Sequence, residues 1–469
     1  MKLFINYVDW LLTLVLESNV YTNSWSDLMK KFNILVVGGG STWTPGLLKS
    51  MCVRQESFPI NQLTMLDTNA DRQKVIGDFA NVLFNEEYPD IKFQYTTDKE
   101  VAFNQELDFV FVQMRTGGFK MREQDEKIPL SLGVIGQETC GPGGFAYGMR
   151  SIKDMIELVH DVRKYNKEAW ILNYTNPAAI VADALKRVFP DDNHILNICD
   201  QPENLLRSYG RLLDRDPRSF DPVYFGLNHF GWFTHLYDET GYDLLPELRD
   251  KILDGGFRPV DFEQRDKSWL ETYAMVEQMV KDFPEYLPNT YLQYYLYPDK
   301  VLNKLDPDFT RSNEVMAGRE KRVFTECKRV AEAGTAQDSS VVHNDAHGEF
   351  IIIVAESIAY NRGDHFVVIL ENNGIVENLP NDAMIEVAAS LTKQGPRPYA
   401  VGEIPTFYKG LIEGQFAYEK LTVEAFLEGS YQKALQALTL NRTIVSAGKA
   451  REVLDALIEA NKDYWPTLT

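Results

Sequence analysis

Cys199 and His229 are the residues of this sequence best suited to hold a divalent transition metal, since thiolate and imidazole are both good ligands for such ions. Cys199 follows the apolar run Ile195–Ile198, and His229 lies in the uncommon segment Gly226-Leu227-Asn228-His229-Phe230-Gly231-Trp232. No CxxC or HExxH spacing joins them, so a buried structural thiol and a hydrogen-bonded loop histidine stand as alternatives. A second chemistry is written into Gly38-Gly39-Gly40-Ser41-Thr42, which follows a continuous apolar run and precedes a helical pattern. Backbone amides in such a turn can approach a pyrophosphate, and the helix amino end favours its charge. The third glycine of the common dinucleotide fingerprint is replaced by Trp43, and Asp67 lies a little beyond the usual spacing of about 20 residues to the ribose-binding acid but at the end of the second strand. The alternative is a plain tight turn.

Three further segments could serve a site. Gln137-Glu138-Thr139-Cys140-Gly141-Pro142-Gly143-Gly144 could bring backbone close to a ligand, or be an ordinary connection. Leu287 to Tyr295 is rich in tyrosine, and a tyrosine becomes a base where a cation lowers its pKa; nothing local singles one out. Arg122, Arg150 and Arg311 could recognise anions, Arg311 from just ahead of a helix.

The elements that must position these residues alternate. Phe32–Val37, Gln62–Leu66, Ile91–Tyr95, Phe109–Val112, Ala169–Leu172 and Ile195–Ile198 read as strands, the first and last of them buried, with helical patterns from about Gly46 and over Asp71–Phe84. The βαβ rhythm predicts a Rossmann-type doubly wound parallel sheet over 29–215, with polar residues gathered at the carboxyl ends of strands, where such sheets bind ligands. Beyond residue 215 strands thin out. Helices are expected at Ser268–Phe283, Glu314–Ala333, Asp382–Thr392, Val423–Ala437 and Ser446–Asn461, giving a mixed α/β lobe over 216–469. Residues 1–28 have neither the basic start nor the cleavage site of a signal peptide and are too short an apolar run to span a bilayer. We expect Met29 to be the working start and 1–28 to be an extension outside the fold.

Composition narrows the class. The chain has 469 residues, 44% of them hydrophobic, enough for a large core, and a formal charge of −20 that repels phosphate backbones and anionic membranes. Nucleic-acid and membrane partners are therefore not expected. Four cysteines in so long a chain make no disulfide framework and point to a reducing cytoplasm.

In order along the chain, Gly-Gly-Gly-Ser-Thr-Trp-Thr-Pro (38–45), Gly-Gln-Glu-Thr-Cys-Gly-Pro-Gly-Gly (136–144), Asn-Tyr-Thr-Asn-Pro (173–177), Asn-Ile-Cys-Asp (197–200) and Gly-Leu-Asn-His-Phe-Gly-Trp (226–232) resemble glycoside hydrolase family 4. These enzymes use NAD and stand outside two-carboxylate hydrolysis. The resemblance runs from Met29 to near the C-terminus and is closest to the members that hydrolyse 6-phospho-α-glucosides such as maltose 6'-phosphate.

The resemblance implies a lactate/malate dehydrogenase-like fold, NAD on Gly38, Gly39, Gly40, Ser41, Thr42 and Asp67, and Mn²⁺ or another divalent ion on Cys199 and His229. It implies Asp200 as general acid, Tyr291 as base with Glu138 raising its basicity, and Arg122, Asn176 and Arg311 on the sugar and its phosphate. It also implies a homodimer or homotetramer. The chemistry would be hydride removal from C3, proton removal from C2, elimination, addition of water and return of the hydride. By raw affinity a thiolate–imidazole pair prefers Zn²⁺ to Mn²⁺, so the metal rests on the resemblance and on cellular supply. Competing readings are a 6-phospho-β-glucosidase, a plain NAD-dependent 2-hydroxy acid dehydrogenase and a non-enzymatic NAD sensor. Asp200 favours the α reading, because β-acting relatives tend to carry a neutral residue beside the metal cysteine.

Overall fold

The computed structural model describes residues 30–259, 262, 267–341, 343 and 346–469. The expected extension 1–28, with Met29, lies outside them. The six apolar runs form parallel strands: β1 (Phe32–Val37), β2 (Ile60–Leu66), β3 (Lys92–Thr96), β4 (Phe109–Val112), β5 (Trp170–Asn173) and β6 (Ile195–Asn197). Their spatial order, β3-β2-β1-β4-β5-β6, is that of a doubly wound dinucleotide-binding sheet. The alternation along β1 shows why the run is apolar throughout. Ile34 and Val36 pack under helices Thr44–Val53, Ala70–Glu87 and Ala346–Tyr360, while Leu35 and Val37 pack under Gly141–Tyr165 and Ala178–Val188. Because the chain leaves β1 for one side and β4 for the other, a crevice opens at their carboxyl ends.

The sheet continues past β6. Strands β10 (Asp364–Glu371), β11 (Met384–Thr392) and β12 (Gly395–Pro398) join it antiparallel and bring it to nine strands. The helix expected at Asp382–Thr392 is therefore a strand. Met, Glu, Ala and Leu gave the segment helical propensity, but it lies between β10 and β12 with residues of both faces buried, and this tertiary setting overrides propensity.

Two helix expectations change in detail. The run Val423–Ala437 belongs to two helices, Thr406–Glu428 and Tyr431–Leu440, parted by Gly429 at φ +64° and restarted by Ser430, whose side chain accepts from the Lys433 amide. Glu314–Ala333 carries a π turn, Met316–Glu320, between Arg311–Val315 and Lys321–Ala333. The helices at Lys267–Asp282 and Ala447–Ala460 lie where the sequence pattern placed them.

A second sheet holds β7 (Asp221–Leu227), β8 (Phe230–Tyr237) and β9 (Leu287–Pro288). Leu227 pairs with Phe230, so Asn228 and His229 form the tip of a tight hairpin. His229 adopts φ +62°, a left-handed conformation that histidine tolerates better than β-branched residues do. Among the described residues no helix is long and apolar enough to cross a membrane.

Candidate active site

The crevice is a cavity of about 820 Å³. Gly38, Gly40, Ser41, Thr42, Asp67 and Asn176 line it, with Gln113, Arg115, Tyr174, Arg319 and His347. Gly38 has φ +88°, and a Cβ there would lie 2.9 Å from the Gln113 carbonyl, so the turn closes on the chain leaving β4 only as glycine. The Gly40 amide donates to Asp67 Oδ2 at 2.8 Å, and the Asn69 amide donates to Asp67 Oδ1 at 2.8 Å. Asp67 thus fastens the glycine turn to the end of β2, and Gly39 lies behind against Met65 and Gln73. A bare-backbone turn, the amino end of helix Thr44–Val53 and a carboxylate on the next strand suit a dinucleotide.

Cys199 and His229 meet outside the residues that line this cavity. Cys199 follows β6, and the hairpin tip brings His229 Nε2 to 3.5 Å from its Sγ. At that separation one divalent ion could be reached by both atoms, so the pair would fit a metal. Burial holds the His229 pKa down to about 4, leaving the imidazole neutral and free to ligate, and pushes the Cys199 thiol up while no cation faces it. Among the described residues no cluster of three or more metal-ligating His, Cys, Asp or Glu side chains occurs.

Of the tyrosines in Leu287 to Tyr295, Tyr291 is the one that lies on His229. Tyr291 stacks face to face on His229, with ring centroids 3.9 Å apart and planes 7° apart. Burial, then the charge of Glu138, raises its pKa well above the usual value. Burial also pushes Glu138 up, but Arg115 at 2.7 Å and Arg122 at 3.1 Å outweigh it and hold the carboxyl at about 2. Arg122 also donates from Nε to Glu126 at 2.8 Å.

Asp200 is held by a residue the sequence did not single out. His347 Nδ1 lies 3.1 Å from its Oδ2, and Asn204 donates to the same oxygen at 3.2 Å. Burial raises the Asp200 pKa, yet His347 brings the balance below the ordinary value. His347 stacks on Tyr174 with centroids 4.3 Å apart and packs tilted against Trp43 at 4.8 Å. Asn176 Oδ1 is buried without a hydrogen-bond partner. Arg311, expected on the phosphate, is 41% exposed and pairs with Glu314 at 2.6 Å. Arg150 has a structural setting, buried against Asp125 and Asn461.

Two buried acids back the site. Glu386 of β11 accepts from Asn228 Nδ2 at 2.9 Å and from the Tyr224 hydroxyl at 3.1 Å, and so pins the hairpin that presents His229. Its sequence signal was a lone carboxylate inside an apolar run. Glu419, also buried, accepts from Gln415 at 2.8 Å, and burial lifts its pKa from 4.5 to about 8. The folded chain keeps a proton on Glu419 that the unfolded chain releases. This share of stability is full below about pH 4.5 and is lost as pH rises towards 8. Glu419→Gln is expected to remove a penalty on the order of 2–4 kcal/mol at pH 7 and to flatten the fall in melting temperature between pH 5 and 8. Parallel melting curves of variant and parent across that range would remove Glu419 as its source.

Comparison with known proteins agrees with this architecture. The model of the family 4 glycosyl hydrolases matches residues 33–212, and that of the family 4 glycosyl hydrolase C-terminal domain matches 224–444. The chain is 48% identical over 449 residues to a phospho-α-glucosidase of Clostridium acetobutylicum, covering 94% of this chain and 100% of that one. It is similar to a crystal structure of a 6-phospho-α-glucosidase from gut microorganisms in complex with NAD and Mn²⁺. The TM-score is 0.92, at 57% identity, over 94% of this chain and 100% of that one. A second such enzyme, in complex with NAD and glucose 6-phosphate, superposes with TM-score 0.90 at 41% identity, over 94% and 100%. A lactate dehydrogenase from a deep-sea metagenome library shares the fold alone, at TM-score 0.50 and 10% identity, over 84% of this chain and 99% of that one. With both family models matched in order and near-complete coverage by the relatives, the chain belongs to glycosyl hydrolase family 4.

Proposed function

We propose that this chain hydrolyses 6-phospho-α-glucosides, maltose 6'-phosphate among them, using NAD and a divalent metal, Mn²⁺ in first place. The carrying observation is the convergence of Cys199, His229 and Tyr291 in one buried cluster beside the NAD-type crevice, with Asp200 joined to the crevice wall through His347. When bound, NAD⁺ supplies reversible hydride uptake and the metal supplies Lewis acidity.

The chain's own residues do the rest. Gly38, Gly39, Gly40, Ser41, Thr42 and Asp67 hold the dinucleotide, and Cys199 and His229 hold the metal. Arg122 and Asn176 hold the phosphorylated sugar, with Arg311 at the outer rim. Tyr291 takes the C2 proton, and its stacking on His229 fixes the ring that carries the hydroxyl. Glu138, kept ionised by Arg115 and Arg122, makes the Tyr291 oxygen more basic. Asp200 donates to the leaving oxygen, its carboxyl held in place by His347 and Asn204. The enzyme acts in the cytoplasm as a homodimer or homotetramer, and its four free buried cysteines suit a reducing compartment.

The test is hydrolysis of p-nitrophenyl α- and β-glucoside 6-phosphates with NAD⁺ and Mn²⁺ omitted in turn. Cleavage of the α substrate alone, lost on either omission, is expected. Equal cleavage of the β substrate overturns the stereochemistry. Steady NADH release from a 2-hydroxy acid without glycoside cleavage makes the chain a dehydrogenase.

A further inference from the structure

Arg319 stands in the π turn Met316–Glu320 and lines the crevice. π turns are rare and frequent at functional sites. Its guanidinium carbon lies 4.3 Å above the ring of Trp43, the residue that replaces the third glycine of the dinucleotide fingerprint. Trp43 is thus a platform with His347 and Arg319 both packed on it.

The arginines around it are matched with acids: Arg115 with Glu138, Arg122 with Glu126 and Glu138, Arg311 with Glu314, and Arg72 with Glu320. Arg319 has no such match among the described residues. Its Nε is closed off from water and makes no hydrogen bond. Burial, then the like charge of Arg122, lowers its pKa to about 10, with Glu138 the opposing charge. A partly desolvated guanidinium left without a partner is costly, and the natural occupant of such a position is an oxyanion held by planar, charge-assisted hydrogen bonds. Arg115, Arg122 and Arg319 face two carboxylates, Glu126 and Glu138, so the cluster keeps one excess positive charge.

We infer that Arg319 is a phosphate receptor of this site and that its ligand is the 6-phosphate of the sugar. The inference rests on the proposed substrate class and adds the residue that selects it. The other phosphate source is the dinucleotide, whose pyrophosphate the amides of Gly38 to Ser41 already address. The charges that act on Arg319 are those of Arg122, Glu138, Arg115 and Arg311, of which Arg122 and Arg311 are the arginines proposed for the sugar and its phosphate.

The experiment measures glucose 6-phosphate, glucose and NAD⁺ binding by calorimetry on the Mn²⁺-loaded full chain, for the parent, Arg319→Gln and Arg319→Lys. In Arg319→Gln the Kd for glucose 6-phosphate is expected to rise on the order of 30-fold or more. NAD⁺ affinity and melting temperature stay at parental values, and Arg319→Lys recovers part of the loss. The KM for the p-nitrophenyl α-glucoside 6-phosphate rises in step, with kcat changed far less. Unaltered glucose 6-phosphate affinity in Arg319→Gln overturns the proposal. So does a loss confined to NAD⁺, which assigns Arg319 to the pyrophosphate. Glucose 6-phosphate that binds the parent and loses affinity in the variant, with no glycoside cleaved by either, sustains the Arg319 assignment while the hydrolase reading fails.

Discussion

Tyr291→Phe is expected to lower turnover of every 6-phospho-α-glucoside by about 100- to 10,000-fold, the usual contribution of a positioned base, while leaving NAD affinity near the parental value. The substitution keeps the ring stacked 3.9 Å from His229 and deletes only the hydroxyl. Burial and the charge of Glu138 both favour the protonated phenol, so the hydroxyl becomes a base only with a positive charge beside it. Deuterium uptake at C2 from D₂O reads the step directly. Exchange at the parental rate would move the base to another residue. Asp200→Asn provides the contrast: loss of the proton donor should hurt a poor leaving group such as glucose far more than p-nitrophenolate, and equal losses would make Asp200 a positioning group.

The second large effect is expected from Cys199→Ser. A serine hydroxyl is a poor ligand where a thiolate binds, so Mn²⁺ affinity should fall by at least about 100-fold. Serine and cysteine are near-isosteric and Cys199 lies in the buried turn just after β6, so the melting temperature without metal should change little. Equilibrium dialysis against Mn²⁺, with activity at limiting and saturating metal, measures both consequences. Parental metal affinity in the variant would take Cys199 out of the site.

The parallel half of the large sheet was legible because its central strands are apolar runs ending in a polar motif, as Phe32–Val37 does before Gly38. The run Met384–Thr392 was not, since a central strand and a buried helix both read as apolar, and its alanines, leucine and glutamate tilt the reading to helix. Within the site, Cys199, His229 and Tyr291 come from three distant segments, and only their resemblance to a known family joined them. The hairpin tip and the ring stack supply the physical reason they meet. Arg319 and His347 carried no local signal. Each becomes informative only through a neighbour, Trp43 or Asp200, that is remote in the chain.

The continuation of the parallel sheet by β10, β11 and β12 has a consequence for how the molecule comes into being. The edge of β6 is covered by a strand made about 170 residues later, and Ile351, Val354 and Ile358 of helix Ala346–Tyr360 fill the core beneath β1. A nascent chain that has emerged only as far as β6 exposes both an unpaired strand edge and an apolar hollow. The cofactor crevice therefore matures late in synthesis, and a chain cut near residue 215 should aggregate instead of persisting as a free NAD-binding module.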